Sequence, residues 1–435
     1  MRNRASILIG LLWCVAILAV VVTGVLHTAR MDLAAGKNFG DKVQARYLAL
    51  AGLERAEALL YQNALTRSHS GKNHTGDLYN DPSDFRENNF GRGTWSILRR
   101  GRDDEGDGVI YGISDEESRL NVNVATSDEL NKIPGLQNDV AIAILGWRGQ
   151  GDSPEEMDYY MSLNPPYRPR LGPFETVREL LMVRDVSPEL LLGEDVHDNG
   201  MLDDLSDTPD GPPRYADNVS DGDLGWAGIL TVDSAVDNTD ASGDDRVNIQ
   251  TANENALAQI HGLSRNVAHA IVAYRSQKQY QTIGDLLDVT PPAGRGGQNS
   301  NADGTKVIDT DLLMQIGDEV TVTDNKTQTG AININTAGAT VLECLPGIDP
   351  DMAQRIISYR QSSGFFANIA ELFKVDGMTP ELFKQVAPLI TARSETFRIL
   401  AEGRVSSTGV SQRIAAIVRV NLDGVKTLSY REDNL

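Results

Sequence analysis

One pattern recurs three times along this chain, and it restricts the fold more than any other feature. The first copy reads Asn121-Val122-Asn123, Leu130, Ile133-Pro134-Gly135-Leu136, then Trp147-Arg148. The second reads Asn248-Ile249-Gln250, Leu257, Ile260-His261-Gly262-Leu263, then Tyr274-Arg275. The third reads Asn333-Ile334-Asn335, Leu342, Leu345-Pro346-Gly347-Ile348, then Tyr359-Arg360. In each, the glycine lies 12 residues after the third position of the tripeptide and 13 before the arginine. A second element follows, with Phe174, Tyr280 or Phe366 placed six residues before Leu180, Leu286 or Leu372. A repeat this regular predicts one supersecondary unit used three times.

The chemistry of the spacing predicts paired short helices. Asparagine, threonine and aspartate near the start suit helix N-caps. The leucines and aliphatics give each helix one apolar face, and the central glycine supplies the tight turn. Arg148, Arg275 and Arg360 are expected to end a helix and meet its own C-terminal carbonyls. The pattern resembles the helix-hairpin-helix module, which often binds DNA. DNA-binding copies carry a second glycine two positions after the first, so that backbone N–H groups can approach a phosphate. Here those positions are Gln137, Ser264 and Asp349. The hairpins are therefore expected to pack on one another as an interaction scaffold, and no nucleic-acid partner is expected.

Residues Ser6 to Leu26 form an uncharged apolar run preceded by Arg2 and Arg4. At 1.5 Å per residue it spans roughly 30 Å, one bilayer core. The flanking arginines keep the N-terminus cytoplasmic under the positive-inside rule. The alternative, a cleaved signal peptide, calls for an apolar core of about 7–15 residues and a small-residue cleavage site. His27-Thr28-Ala29-Arg30 fits that site poorly. Met31 to Tyr61 lacks proline and carries Leu48, Leu50, Ala51, Leu53, Ala56, Leu59 and Leu60, largely at helical spacing, so the helix is expected to continue beyond the membrane.

Two β segments precede the repeats, Thr94–Arg99 and Val109–Ile113, and three follow, Thr396–Ala401, Arg413–Val420 and Val425–Tyr430. Their alternation and the glycine turns between them predict one antiparallel sheet interrupted by the repeats. The expected class is α+β: a pilin-like long N-terminal transmembrane helix on an antiparallel sheet, with an inserted α-helical domain of helix-hairpin-helix-like repeats. The expected divisions are a leader at 1–5, a transmembrane helix at 6–28 and its continuation at 29–65. The split sheet occupies 66–120 and 394–435, and the insert 121–393, with repeats at 121–190, 247–290 and 332–393.

The formal net charge is −21, and it is concentrated. Residues 191–245 hold fifteen acidic side chains and one basic one, Arg214, so this segment carries −14. Asp195-x-His197-Asp198-Asn199-Gly200-x-x-Asp203 follows the opening of an EF-hand-type calcium loop, with oxygen ligands spaced around a glycine turn. Asp217, Asp221 and Asp223 form a second acidic glycine turn, and Asp240 to Asp245 a third. The first run has Ser206, not glutamate, at its twelfth position. Its candidate Ca2+ ligands compete with a plainer reading, a solvated acidic linker. Enzyme chemistry finds no foothold. The six histidines form no HExxH pair, the two cysteines form no ligand cluster, and no phosphate loop matches.

Long apolar helix, split sheet and inserted repeats together resemble the type II secretion system protein K family, the large minor pseudopilins. The most specific stretches are Ala5-Ser6-Ile7-Leu8-Ile9 with Trp13, Tyr111 to Glu116 running into Leu120 to Asn123, and Asp158-Tyr159-Tyr160 through Pro165-Pro166-Tyr167-Arg168 to Pro173-Phe174. The resemblance implies cleavage by prepilin peptidase between Ala5 and Ser6, where the family has glycine before the cut. It implies no glutamate at the fifth mature position, which is Gly10 here. It implies a non-enzymatic, single-pass inner-membrane protein with a periplasmic C-terminal domain. That protein would cap a pseudopilus tip with other minor pseudopilins and help start its assembly for protein secretion. Some family members bind calcium, which bears on the acidic segment. The competing reading is a membrane-anchored DNA-uptake receptor built on the hairpins.

If the acidic segment binds calcium, millimolar calcium raises the melting temperature of the fragment from residue 29 onward; an unchanged melt counts against these ligands.

Overall fold

The computed structural model describes residues 3–73, 78–102, 105, 108–150, 154–193, 225–291 and 306–432. One helix, α1 (Asn3–Ser70), runs unbroken for 68 residues, roughly 100 Å. Gly36, Gly40 and Gly52 do not interrupt it. Its two halves have different surroundings. Residues 8–40 are exposed throughout, including Leu8 to Leu26, Met31, Leu33 and Phe39. From Ala45 onward one face is buried, formed by Ala45, Leu48, Ala49, Leu53, Ala56, Leu60 and Ala64. These recur every three or four residues, the period that puts side chains on one helical stripe.

That stripe lies on a seven-stranded antiparallel sheet. Its strands are β1 (Asn88–Phe90), β2 (Gly93–Arg100), β3 (Val109–Tyr111), β4 (Ser114–Asp115), β5 (Thr396–Val405), β6 (Ser411–Asn421) and β7 (Gly424–Glu432). The order is β1-β2-β5-β6-β7, with β3 beside β2 and β4 beside β5. Strand β5 therefore pairs with strands from the far side of the insert, Leu400 opposite Leu98 and Phe397 opposite Asp115. Alternate residues Ile97, Ile399, Ala401, Ile414, Ala416 and Val418 face α1 and make the core of this lobe with Leu53 and Leu60. Helix and sheet touch backbone to backbone at Gly403. A Cβ there would overlap the Ala45 carbonyl oxygen and the Ala49 nitrogen.

Between β4 and β5 the chain leaves the sheet and forms a second, larger core. All three repeats contribute to it, through Leu130, Ile133, Trp147 and Leu180; Leu257, Ile260, Ile271 and Leu286; and Leu342, Leu345, Ile356 and Leu372. The architecture is thus α+β, with a helical insert carried by a sheet that both ends of the chain complete.

Because the Gly403 contact admits no side chain, Gly403→Ala should cost about 1–3 kcal/mol in detergent-solubilised protein. Gly36→Ala, where nothing lies within 4 Å of an added Cβ, should be neutral or stabilising by up to ~1 kcal/mol. Thermal unfolding of the two variants distinguishes these outcomes.

Candidate functional site

Each repeat is a closed unit. The strand at its start pairs in parallel with a strand at its end: Leu120–Asn121 with Leu230–Thr231, Val247–Asn248 with Val320–Thr321, and Ile332–Asn333 with Ile390–Thr391. The leading asparagine is not a helix cap, as its position had suggested. Its Oδ1 accepts the N–H two residues on, at 2.9 Å in all three copies: Asn123, Gln250 and Asn335. Its amide then donates to a side chain three residues beyond the closing strand. These partners are Ser234 at 3.0 Å, Asp324 at 2.8 Å and Ser394 at 2.7 Å. The caps are Thr126, in a capping box with Glu129, and Asn253; in the third copy Gly338 takes the position without a side-chain bond.

The third tripeptide position joins the two elements of the repeat. Asn123 Nδ2 donates to the Phe174 carbonyl and Asn123 Oδ1 accepts the Phe174 N–H. Asn335 does the same with Phe366, and Gln250 donates to the Tyr280 carbonyl. The fixed aromatic position follows from this bond and from ring stacking, with Tyr274 on Tyr280 at 5.2 Å and Tyr359 on Phe366 at 4.9 Å.

The repeated arginines correct another expectation. Their bonds run back to the tripeptide and the turn after it, not to the end of their own helix. Arg148 donates to the carbonyls of Val122 at 2.5 Å and Ala125 at 2.9 Å. Arg275 donates to Ile249 at 3.0 Å and Ala252 at 2.6 Å, and Arg360 to Ile334 at 3.1 Å. These carbonyls sit between a two-residue strand and a helix start, where neither element supplies a partner. A planar guanidinium can satisfy two of them together.

A further repeated feature, missed in the sequence, is the threonine that ends each closing strand. Thr231, Thr321 and Thr391 each accept the N–H two residues on. They lie 110, 73 and 58 residues after their leading asparagines, so no fixed period reveals them. The available signal was local: Leu230-Thr231, Val320-Thr321 and Ile390-Thr391, each followed three residues later by serine or aspartate.

Each hairpin tip is touched by another part of the protein, although its glycine stays exposed. Gly135, Gly262 and Gly347 all have positive φ, 75°, 91° and 73°. The Pro134 carbonyl accepts Trp226 Nε1 at 3.1 Å. The Gln315 side chain lies against Gly262, Leu382 lies against Gly347, and Glu319 accepts the His261 N–H at 3.4 Å. Ser264 and Asp349, where a phosphate-binding hairpin has glycine, cap the following helices. Units also bond one another. Lys132 Nζ donates to the carbonyls of Glu343 and Leu345, and Lys384 pairs with Asp288 at 2.6 Å.

Ala5 and Ser6 lie in the first turns of α1, just before a stretch from Leu8 that is long and apolar enough to cross a membrane. The calcium candidates Asp195, Asp198, Asn199, Asp203, Asp217, Asp221 and Asp223 fall outside the described residues. The third acidic run is described, and it closes on itself. Asp240 N–H donates to the Asp244 carbonyl, Asp244 N–H to Asp240 Oδ1, and Asp245 pairs with Lys326 at 2.7 Å. Among the described residues, no group of three or more His, Cys, Asp or Glu is placed to hold a metal.

The helix-hairpin-helix motif family matches residues 243–291 and 327–391, the second and third units. A Xenopus laevis endonuclease/exonuclease/phosphatase family domain-containing protein 1 is 26% identical over 157 residues, 33% of this chain and 26% of that protein. ComE operon protein 1 of Bacillus subtilis is 36% identical over 62 residues, 14% of this chain and 30% of that protein. The chain thus spans about a quarter to a third of the length of these curated relatives. A solved GspK-GspI-GspJ complex from the enterotoxigenic Escherichia coli type 2 secretion system aligns over 90% of this chain and 97% of that one, at 11% identity and a TM-score of 0.41.

Arg148→Ala leaves two buried carbonyls unsatisfied and should cost about 2–4 kcal/mol. Arg148→Lys should recover less than half of that, because an ammonium cannot reproduce the fork. Equilibrium denaturation of both variants reads the difference.

Proposed function

We propose that this chain is a minor pseudopilin of a type II secretion system. Anchored in the inner membrane with its bulk in the periplasm, it would cap the pseudopilus tip and help start assembly with other minor pseudopilins. The observation that carries the reading is the division of α1. Half of the helix is bare and apolar, and half is packed on a sheet whose strands come from both sides of an insert. A subunit of this shape can leave the bilayer as part of a helical filament while its insert stays outside. Gly10 supports a terminal place, since a subunit with no neighbour above it needs no buried carboxylate to pair with that neighbour. Processing between Ala5 and Ser6 and calcium in the acidic segment belong to the same proposal.

The role proposed is structural rather than enzymatic, with the three units acting as bulk and as packing surface. Co-expression with pilin-like proteins encoded beside it should yield a complex after detergent extraction, and loss of the gene should block secretion. A chain that co-purifies with none of them, and whose loss leaves secretion intact, overturns the reading.

The alternative, a membrane-anchored DNA-uptake receptor, draws on the motif match and the ComE operon protein 1 similarity. Gln137, Ser264 and Asp349 in place of a second glycine, and the Glu319 carboxylate beside the second tip, weigh against phosphate binding. The fragment from residue 29 onward should leave duplex and single-stranded DNA unshifted at low salt. A salt-dependent shift would favour the receptor.

A further inference from the structure

The chain crosses from sheet to insert at residues 114–119 and returns at 391–396, and two carboxyl groups are buried where these crossings meet. Asp115 and Glu117 are 3% and 0% exposed. Asp115 Oδ1 accepts the Glu117 N–H at 2.8 Å, while Oδ2 accepts the Asn333 amide at 3.1 Å, the Ser394 hydroxyl at 2.5 Å and the Thr336 hydroxyl. Glu117 Oε1 accepts the Ala235 N–H at 3.0 Å and Oε2 the Thr396 N–H at 3.1 Å. The Glu117 N–H bond to Asp115 brings the two acids together at the joint. Two carboxylates have no donor between them, so any bond between these groups needs a proton. Among the described residues, neither carboxyl has an ion-pair partner.

The charged groups nearby are engaged elsewhere. Glu116 pairs with Arg398 at 2.7 Å and lies 3.8 Å from Arg119. Despite its burial, these cations hold Glu116 down to about 2. Asp233, pushed up to about 6 by burial and then by Glu116, faces that carboxylate. Glu395 lies among Arg67, Arg393 and Arg419, and Asp237 pairs with Arg419. Tyr79, whose phenol burial raises well above its ordinary 10.0, lies beside Ser394 and senses both acids and Arg102. A cavity of about 40 Å³ lined by Tyr79, Asn333, Arg393 and Ser394 adjoins the pair, room for a water.

We propose that Asp115 and Glu117 share one proton and form a pH-dependent latch between the pilin-like sheet and the three-unit insert. With the proton in place, the pair gathers donors from the segment after the first unit's closing strand, the third unit and the return crossing. Without it, two negative charges face each other in a buried site. Burial, and then the Asp115 charge, raise Glu117 well above its ordinary 4.5. The closed joint therefore keeps a proton that the open joint releases. Closure is strongest below the ordinary carboxyl value and weakens as pH rises above it, about tenfold in the open-to-closed ratio per pH unit per proton.

Amide hydrogen exchange of the full chain in detergent between pH 6 and 8, corrected for the intrinsic rate, reads this ratio at residues 113–120 and 390–396. The wild type should open progressively more there as pH rises, by up to about tenfold per pH unit, while the centre of β6 stays level. Glu117→Gln and Asp115→Asn each remove one partner and should each make the dependence shallower, with burial still raising the acid that remains. The double variant Asp115→Asn/Glu117→Gln should abolish it; if it fails to fold, the slopes of the two single variants decide. A wild type with no pH dependence at these crossings, or variants that keep the wild-type slope, overturns the latch.

Discussion

An asparagine side chain that folds onto its own backbone and reaches the far end of its unit holds each helical unit shut. Asn121, Asn248 and Asn333 each carry out both tasks, accepting a nearby N–H and donating to Ser234, Asp324 or Ser394. Around that bond the rest of a unit follows. The two-residue parallel strands align, the arginine of the second helix finds the carbonyls left bare, and the third tripeptide position grips the aromatic of the second element. Two-residue strands have little stability of their own. Side-chain bonds and the shared apolar core supply what the ladder lacks. The hairpin tips share in this bonding, through Trp226 at the first and Glu319 at the second.

The third unit has a second role. Its Asn333 also bonds Asp115, and its closing strand leads directly into β5. The joint between the lobes is therefore made of the same residues that close the unit. Buried carboxyls crowd there, and they are treated differently by their surroundings. Glu116 is neutralised by guanidiniums, while Asp115 and Glu117 are served by neutral donors only. A buried ion pair and a shared proton are two solutions to one desolvation problem, and they stand side by side.

The sheet lobe depends on close approach. Alanines on α1 and Gly403 on β5 bring helix and strand backbones into contact, so the lobe is compact although its strands come from residues about 300 apart in sequence. Such non-local pairing is costly to form. A self-closing insert reduces the cost, because three folded units shorten the effective loop between β4 and β5. The bare half of α1 contributes nothing to this core; its surface suits lipid.

Much of this was legible in the residues. The apolar run, the stripe from Leu48 to Leu60, the strands on both sides of the insert and the threefold spacing are all local periodicities, set by helix pitch, pleat and turn geometry. The spacing of 12 and 13 residues is rigid because two helices and one glycine turn have fixed lengths. The closing threonines were not legible, because loops of different length separate them from their asparagines. The arginines were misread for a related reason. Along a sequence a helix end is the nearest set of free carbonyls, whereas carbonyls 26 and 23 residues back become neighbours only once the unit closes. The crowding of Asp115 and Glu117 is likewise tertiary. In sequence they are two acids in an ordinary acidic turn, and only the return crossing with Ser394 and Thr396 takes them out of water. The sequence by itself determined the elements and their repetition, because those depend on contacts within a few residues. Tertiary structure decided which polar groups meet and which protons they keep, because desolvation and long-range hydrogen bonds exist only in the folded chain.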